Sequence, residues 1–387
     1  MLGTRARAQR SSSKTGRVTV RPPKDQEELT LRLIDMDTHF APTDEFAYVP
    51  DDIKPLMPRW MPSGEGKVAL VAPNRPTPNK LSGAFNASVR LAGDFDVDAR
   101  LKDMDALGIE KQLLNPEFSQ YCYEVEPRVA AAMCRSANTA VSRALARHPD
   151  RFIGCAVIPT QDISASVEEA KRSLEAGFPT MFMKAPQGGK NFGDPHFWPL
   201  YDFANEHRMP ILVHATNQDL GCITHTERLG QYWGVWVGMM SDFFVCVCSM
   251  IYDGVFDAFP NLKVCFAESG ATWIPWFLDR MSLSYDVDRG SQNKTKKHPT
   301  EYFATNLYFT IDPTEKDLGN LCQRVGSKNL MLGTDYPHGD ITGRGRSLEM
   351  LKRTHIDLLL EREDLTQEAK EDIAYRNALT FLGDRVN

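Results

Sequence analysis

Past residue 30 the chain alternates short, nearly unbroken apolar runs with longer stretches whose apolar positions recur every three or four residues. Eight short runs occur: Leu31–Asp37, Lys111–Asn115, Ile153–Ile158, Thr180–Lys184, Ile211–His214, Lys263–Glu268, Leu307–Ile311 and Leu330–Asp335. A strand with one wet face alternates polar and apolar residues, whereas a strand covered on both faces has no need to. The runs therefore predict buried parallel strands. The stretches between them read as helices. Pro127 to Ala146 places Val129, Met133, Ala137, Val141 and Leu145 on one stripe. Asp162 to Glu175 and Val235 to Phe259 are the other clear helical stretches.

Eight βα units in 387 residues predict an α/β fold, a closed (β/α)8 TIM barrel. An open doubly wound sheet would carry a glycine-rich phosphate turn after its first strand, and none follows Asp37. The segment from Phe40 to Phe95 is too long for a βα loop and rich in Pro and Gly. It is expected to elaborate the C-terminal mouth of the barrel.

Charge separates a first segment from the rest. Every charged residue from Met1 to Lys24 is basic: Arg5, Arg7, Arg10, Lys14, Arg17, Arg21 and Lys24. Residues 1–30 are expected to form a flexible arm that clasps a neighbouring subunit of a homo- or hetero-oligomer. A transit peptide or a nucleic-acid tail are the other readings. Residues 31–387 are expected to be the barrel domain. Overall the net charge is −6, which gives no general attraction to nucleic acid or an anionic membrane, so neither is expected as a partner. No uncharged apolar run reaches the roughly 18 residues of a membrane span. The eight cysteines form no CxxC pair and lie mostly in apolar surroundings, as in a reduced, cytoplasmic protein.

The candidate chemistry sits at the strand ends. Asp37 and His39 end the first strand, His214 the fifth, Glu268 the sixth and Asp335 the eighth. In a (β/α)8 barrel these ends meet on the face where active sites lie. Alternation sends Asp37 and His39 to the same side of their strand. Singly, each has a plainer reading: a strand-end cap, a satisfied core histidine, or a turn before Tyr336-Pro337. Together, so many buried ionisable groups would cost several kcal/mol each if uncompensated. A divalent metal, Zn2+, Mn2+ or Fe2+, suits such a mixture of imidazole and carboxylate.

These stretches resemble the amidohydrolase superfamily, in the branch containing aminocarboxymuconate semialdehyde decarboxylase and γ-resorcylate decarboxylase. The matching pieces are Ile34-Asp-Met-Asp-Thr-His39, Met104-Asp-Ala-Leu-Gly-Ile109, His148-Pro-Asp-Arg-Phe152, Pro210-Ile-Leu-Val-His214, Phe259-Pro-Asn-Leu-Lys-Val264 and Leu332-Gly-Thr-Asp-Tyr-Pro-His338. Glu268-Ser-Gly, Trp273-Ile-Pro and Asp279-Arg280 match as well, so that the likeness spans about residues 31 to 384. The resemblance implies that His39, His214 and Asp335 are metal ligands. Asp37 stands where many members have the first His of a His-x-His pair, and the resorcylate-type enzymes have Glu. Glu268 stands where many relatives carry a catalytic His.

Two chemistries follow from the resemblance. In the first, one ion on Asp37, His39, His214 and Asp335 binds a small carboxylated substrate for decarboxylation or hydrolysis, with Asp335 or Glu268 moving the proton. An arginine, Arg90 or Arg280, is expected to hold the substrate anion, and Trp273 is a candidate pocket wall. In the second, Glu268 and His338 join the set to hold two Fe or Mn ions for O2-dependent hydroxylation of a small carboxylic acid. Lys184, ending the fourth strand, stands where some dinuclear relatives carry a bridging carboxylated lysine, but the plainer reading, a charged residue facing the mouth, is the one expected here. A catalytically silent partner subunit is the reading from another class.

Overall fold

A computed structural model of the protein describes residues 31–57, 91–117, 122, 123, 125–184, 189–214, 238, 240–287, 295–338 and 347–386 in full. It describes the backbone alone at 18–20, 29, 30, 59–64, 67–71, 231–237 and 239. In chain order the strands are β1 (Val18–Val20), β2 (Leu29–Leu31), β3 (Ile34–Asp35), β4 (His39–Phe40), β5 (Arg59–Gly64) and β6 (Lys67–Val71). There follow β7 (Lys111–Pro116), β8 (Phe152–Val157), β9 (Thr180–Lys184), β10 (Ile211–His214), β11 (Val264–Phe266), β12 (Leu307–Ile311) and β13 (Leu330–Leu332). From β7 to β13 each strand lies parallel to the next, and β3 and β4 both pair with β7.

The ring closes where strand one changes partner. Met36 N donates to Leu332 O at 2.9 Å, Asp335 N donates to Asp37 O at 2.9 Å, and Thr38 bridges Tyr336 in parallel. This switch from the β7 side to the β13 side leaves only Ile34–Asp35 of the expected strand Leu31–Asp37 paired as β3, and pairing with β7 resumes beyond it in β4. Its first residue is lost to another sheet: Leu31 pairs with Val18 in the antiparallel pair β1–β2, so part of the expected arm is strand. The expected mouth elaboration includes a second antiparallel pair, β5–β6, and residues 72–90 lie outside the described ones.

The helices follow their sequence signals closely. In chain order the first seven are α1 (Val97–Leu107), α2 (Pro127–Arg147), α3 (Ile163–Glu175), α4 (Trp198–Glu206), α5 (Gln231–Tyr252), α6 (Val255–Ala258) and α7 (Ile274–Val287), and shorter helices follow to the end of the described chain. Pro127 begins α2, where its missing N–H costs nothing. Asp162 caps α3, its side chain accepting from Ala165 N at 3.1 Å. The single helix expected over Val235–Phe259 is two, α5 and α6, because the chain turns left-handed at Gly254 (φ 79°). Among the described residues no helix is long and apolar enough to cross a membrane.

Alternation along the strands builds two cores. Leu113, Cys155, Val157, Phe182, Leu212, Cys265, Tyr308 and Met331 fall in one cluster. Their neighbours Leu114, Ala156, Met183, Val213, Phe266 and Phe309 fall in the other, with residues of α4 and α5. The polar groups at the strand ends stand above this apolar plug.

Candidate metal centre

The sequence-selected group converges. Asp37, His39 and His214 are all buried. The Nε2 of His214 lies 3.8 Å from Asp37 Oδ1 and 3.6 Å from Glu268 Oε2, and His39 Nε2 lies 3.2 Å from Asp335 Oδ1. The His39 and His214 rings meet edge to face, centroids 5.0 Å apart. Atoms bound at about 2.0–2.2 Å to one ion sit about 3.0–3.6 Å from one another, close to the spacing found here. Asp37 Oδ1 is buried with no hydrogen-bond partner, while Oδ2 accepts from Thr310 Oγ1 at 3.5 Å. An oriented carboxylate with one oxygen left over, facing imidazole nitrogen, fits a cation.

The backbone aims the last two carboxylates. Glu268 (φ 56°) and Asp335 (φ 55°) are left-handed, a conformation that strains a residue with a Cβ. The chain leaves β11 and β13 before reaching them, so those strands are shorter than the runs Lys263–Glu268 and Leu330–Asp335. Thr310 Oγ1 receives Glu268 N at 2.9 Å, which ties that turn to the side chain that also contacts Asp37. A Cβ at Gly333 would fall 2.8 Å from Asp37 Cβ and 3.0 Å from Thr310 Cβ, so this position must stay bare.

Charge is crowded here. Burial pushes Asp37 up to about 7 against the favourable field of His39. Glu268 rises to about 8 through desolvation and the neighbouring charges of Asp335 and Asp37. Burial and His338 act to lower His39, but Asp335 and Glu117 outweigh them and carry it to about 9. Burial opposes ionisation of Asp335 too, yet His338 and His39 hold its carboxyl well below the usual range. The carboxylates thus draw positive charge onto the imidazoles, and a divalent cation would replace those protons.

Two groups escaped the sequence reading. Glu117, just past β7, places Oε2 3.0 Å from His39 Nδ1 and 3.1 Å from His338 Nε2. His338 in turn sets Nδ1 3.0 Å from Asp335 Oδ1 and stacks on His39 at 3.9 Å between centroids. Asp35 is buried and accepts from Thr334 Oγ1 at 2.6 Å, Thr334 N at 3.0 Å and Gln112 Nε2 at 3.1 Å, pinning strand one to the turn that carries Asp335. A carboxylate beside a strand end was the available signal for Glu117. Alternation from Asp37 was the signal for Asp35.

Comparison with known proteins gives the family. The amidohydrolase family model matches residues 34–383. The chain belongs to the amidohydrolase family. This amidohydrolase is 28% identical over 294 residues to a 2-amino-3-carboxymuconate-6-semialdehyde decarboxylase from Dictyostelium discoideum, covering 75% of this chain and 77% of that one. It is 27% identical over 263 residues to a γ-resorcylate decarboxylase from Rhodococcus jostii, covering 63% and 78%. Among solved structures, a dihydroxybenzoic acid decarboxylase from a Polaromonas species, with bound manganese and the inhibitor 2-nitroresorcinol, matches with a TM-score of 0.66 at 19% identity, covering 91% of this chain and 97% of that one.

The expected substrate-binding residues of this amidohydrolase fare differently. Arg90 lies outside the described residues. Arg280 is exposed on α7, and no described contact joins it to the carboxylate–imidazole group. Trp273 donates Nε1–H to Ser269 O (3.2 Å) and Gly270 O (3.1 Å) and packs edge-on against Phe309, which braces the turn after Glu268. Lys184 is wholly buried and in register with His214, so both point to the same face.

Proposed function

We propose that this amidohydrolase is a metal-dependent decarboxylase of a small carboxylated, aromatic or similarly unsaturated substrate. The observation that carries the reading is the meeting of Asp37, His39 and His214, whose donor atoms lie within 4.8 Å of one another, with Asp335 beside His39 and Glu268 beside His214. Asp37, His39, His214 and Asp335 would hold it. Their oxygen and nitrogen donors suit Mn2+, Zn2+ or Fe2+ alike, and the manganese in the Polaromonas structure is the ground for choosing Mn2+. When bound, the ion supplies Lewis-acid attraction for the substrate carboxylate and an adjacent oxygen.

The residues supply the rest. The strand-end cluster fixes the carboxylate so that one carbon–carbon bond faces Glu268. That bond breaks, its electron pair stays on the ring carbon, CO2 leaves, and Glu268 delivers the proton that replaces it. Glu268 suits this role because 28% of its side chain is exposed toward the mouth, whereas Asp335 is bracketed by His39 and His338. Glu117 keeps the His39 proton on Nδ1 and leaves Nε2 for the ion. Glu117→Gln is expected to weaken Mn2+ binding about ten- to a hundredfold in a chelator-competition titration; unchanged affinity would remove the orienting role.

A second cluster, His39, Glu117 and His338, shares His39 with the first. Both imidazoles already direct a nitrogen at one Glu117 oxygen, and a second ion would have to displace these bonds. This favours the one-ion reading over the dinuclear, O2-using alternative. The test is a panel of hydroxybenzoates and unsaturated dicarboxylates, with released CO2 and O2 uptake followed together. One CO2 per substrate consumed, abolished by chelator and restored by Mn2+, is the expected result. O2 uptake without CO2 release would overturn it.

A further inference from the structure

His39 is held by its side chain and by both of its main-chain groups. Its N–H donates to Tyr336 O at 2.6 Å. Its carbonyl accepts two bonds from Arg100, at 2.6 Å from Nη2 and 3.0 Å from Nη1. Arg100 is fully buried on α1, and its other hydrogen bond reaches Thr38 Oγ1 at 3.5 Å. The guanidinium carbon stands 4.6 Å from the centre of the Tyr336 ring and 5.3 Å from that of Phe40. The Tyr336 hydroxyl is in turn anchored on Asp103 at 2.6 Å. A Cβ at Gly93 would fall 2.0 Å from the Tyr336 hydroxyl oxygen and 2.8 Å from Arg100 Cα, so the chain is pinched tightly around this assembly.

A buried cation is an expensive way to fill space, since an apolar side chain of similar volume packs there without desolvating a charge. Here all its hydrogen bonds go to Thr38 and His39. Fixing the amide on one side of the His39 Cα and the carbonyl on the other fixes the direction of Cα–Cβ. Glu117 then sets the rotation of the ring. We infer that Arg100 is a positioning residue of the metal centre: its planar fork on the His39 carbonyl holds Nε2 where the ion needs it. The inference rests on the one-ion reading above.

The test is Arg100→Lys in the full chain, with Mn2+ affinity measured by chelator competition and the thermal midpoint of metal-free protein measured alongside. Lysine keeps the charge and lacks the fork. Mn2+ binding should weaken about ten- to a hundredfold, as for lost supporting contacts at other metal sites, and more than any shift of the metal-free midpoint accounts for. A lower midpoint with unchanged Mn2+ affinity would make Arg100 merely structural and overturn the inference. Tyr336→Phe, which frees the ring under the guanidinium from Asp103, carries the same test if the lysine variant fails to fold: about a tenfold loss, the low end for a lost supporting contact, is expected, and none would overturn it. The wild-type titration separates the two levels, because a wild-type protein that binds no Mn2+ would sink the metal centre itself.

Discussion

His39→Ala is expected to abolish stoichiometric metal binding and to lower kcat/KM for decarboxylation by about a thousandfold or more. Loss of the ion would remove several kcal/mol of charge stabilisation, and about 4 kcal/mol is a factor of a thousand. The reason lies in the position of this residue. It touches Asp335 through Nε2 and Glu117 through Nδ1, and it packs against both His214 and His338. Alanine would leave Asp37, Asp335 and Glu117 facing one another without the imidazole between them. The check pairs elemental analysis of the purified variant with a CO2-release assay at saturating Mn2+. A variant that keeps one ion and more than a tenth of wild-type activity would mean that His39 is no ligand.

Glu268→Gln should behave in the opposite way toward metal. The amide keeps the shape of the side chain, so the ion stays. It cannot deliver the proton, so kcat should fall by about 10^2 to 10^4, the usual worth of a positioned acid, with little change in KM. Loss of one of two ions in this variant would instead indicate a dinuclear centre. Wild-type turnover by the glutamine variant would return the proton to Asp335.

The sequence pattern carried the barrel because its strands are covered on both faces, so eight apolar runs stood out without alternation. It carried the starts of α2 and α3 because Pro127 and Asp162 are strong local signals. It failed where tertiary pairing decides. Nothing local distinguishes Leu31, which pairs with Val18, from Ile34, which pairs with Lys111. The break between β3 and β4 exists only because strand one meets β13 there. The helix break at Gly254 was written in the sequence and passed over inside a long apolar stretch.

At the site, the five residues chosen from strand ends do meet, since a parallel barrel brings strand ends together whatever its loops do. Glu117 lies two residues past the apolar run Lys111–Asn115, and only the folded ring brings it against His39 and His338. Arg100 gave no signal, because its partner is a main-chain oxygen, and backbone carbonyls are alike in every sequence.

The central claim is a single cation held by groups from strands one, five and eight. Metal analysis of the chelator-stripped protein after reloading with Mn2+ tests it most directly. One ion per chain is predicted for the wild type and none for Asp37→Ala combined with His214→Ala. No retained metal in the wild type, or an unaltered content in the double variant, would contradict it.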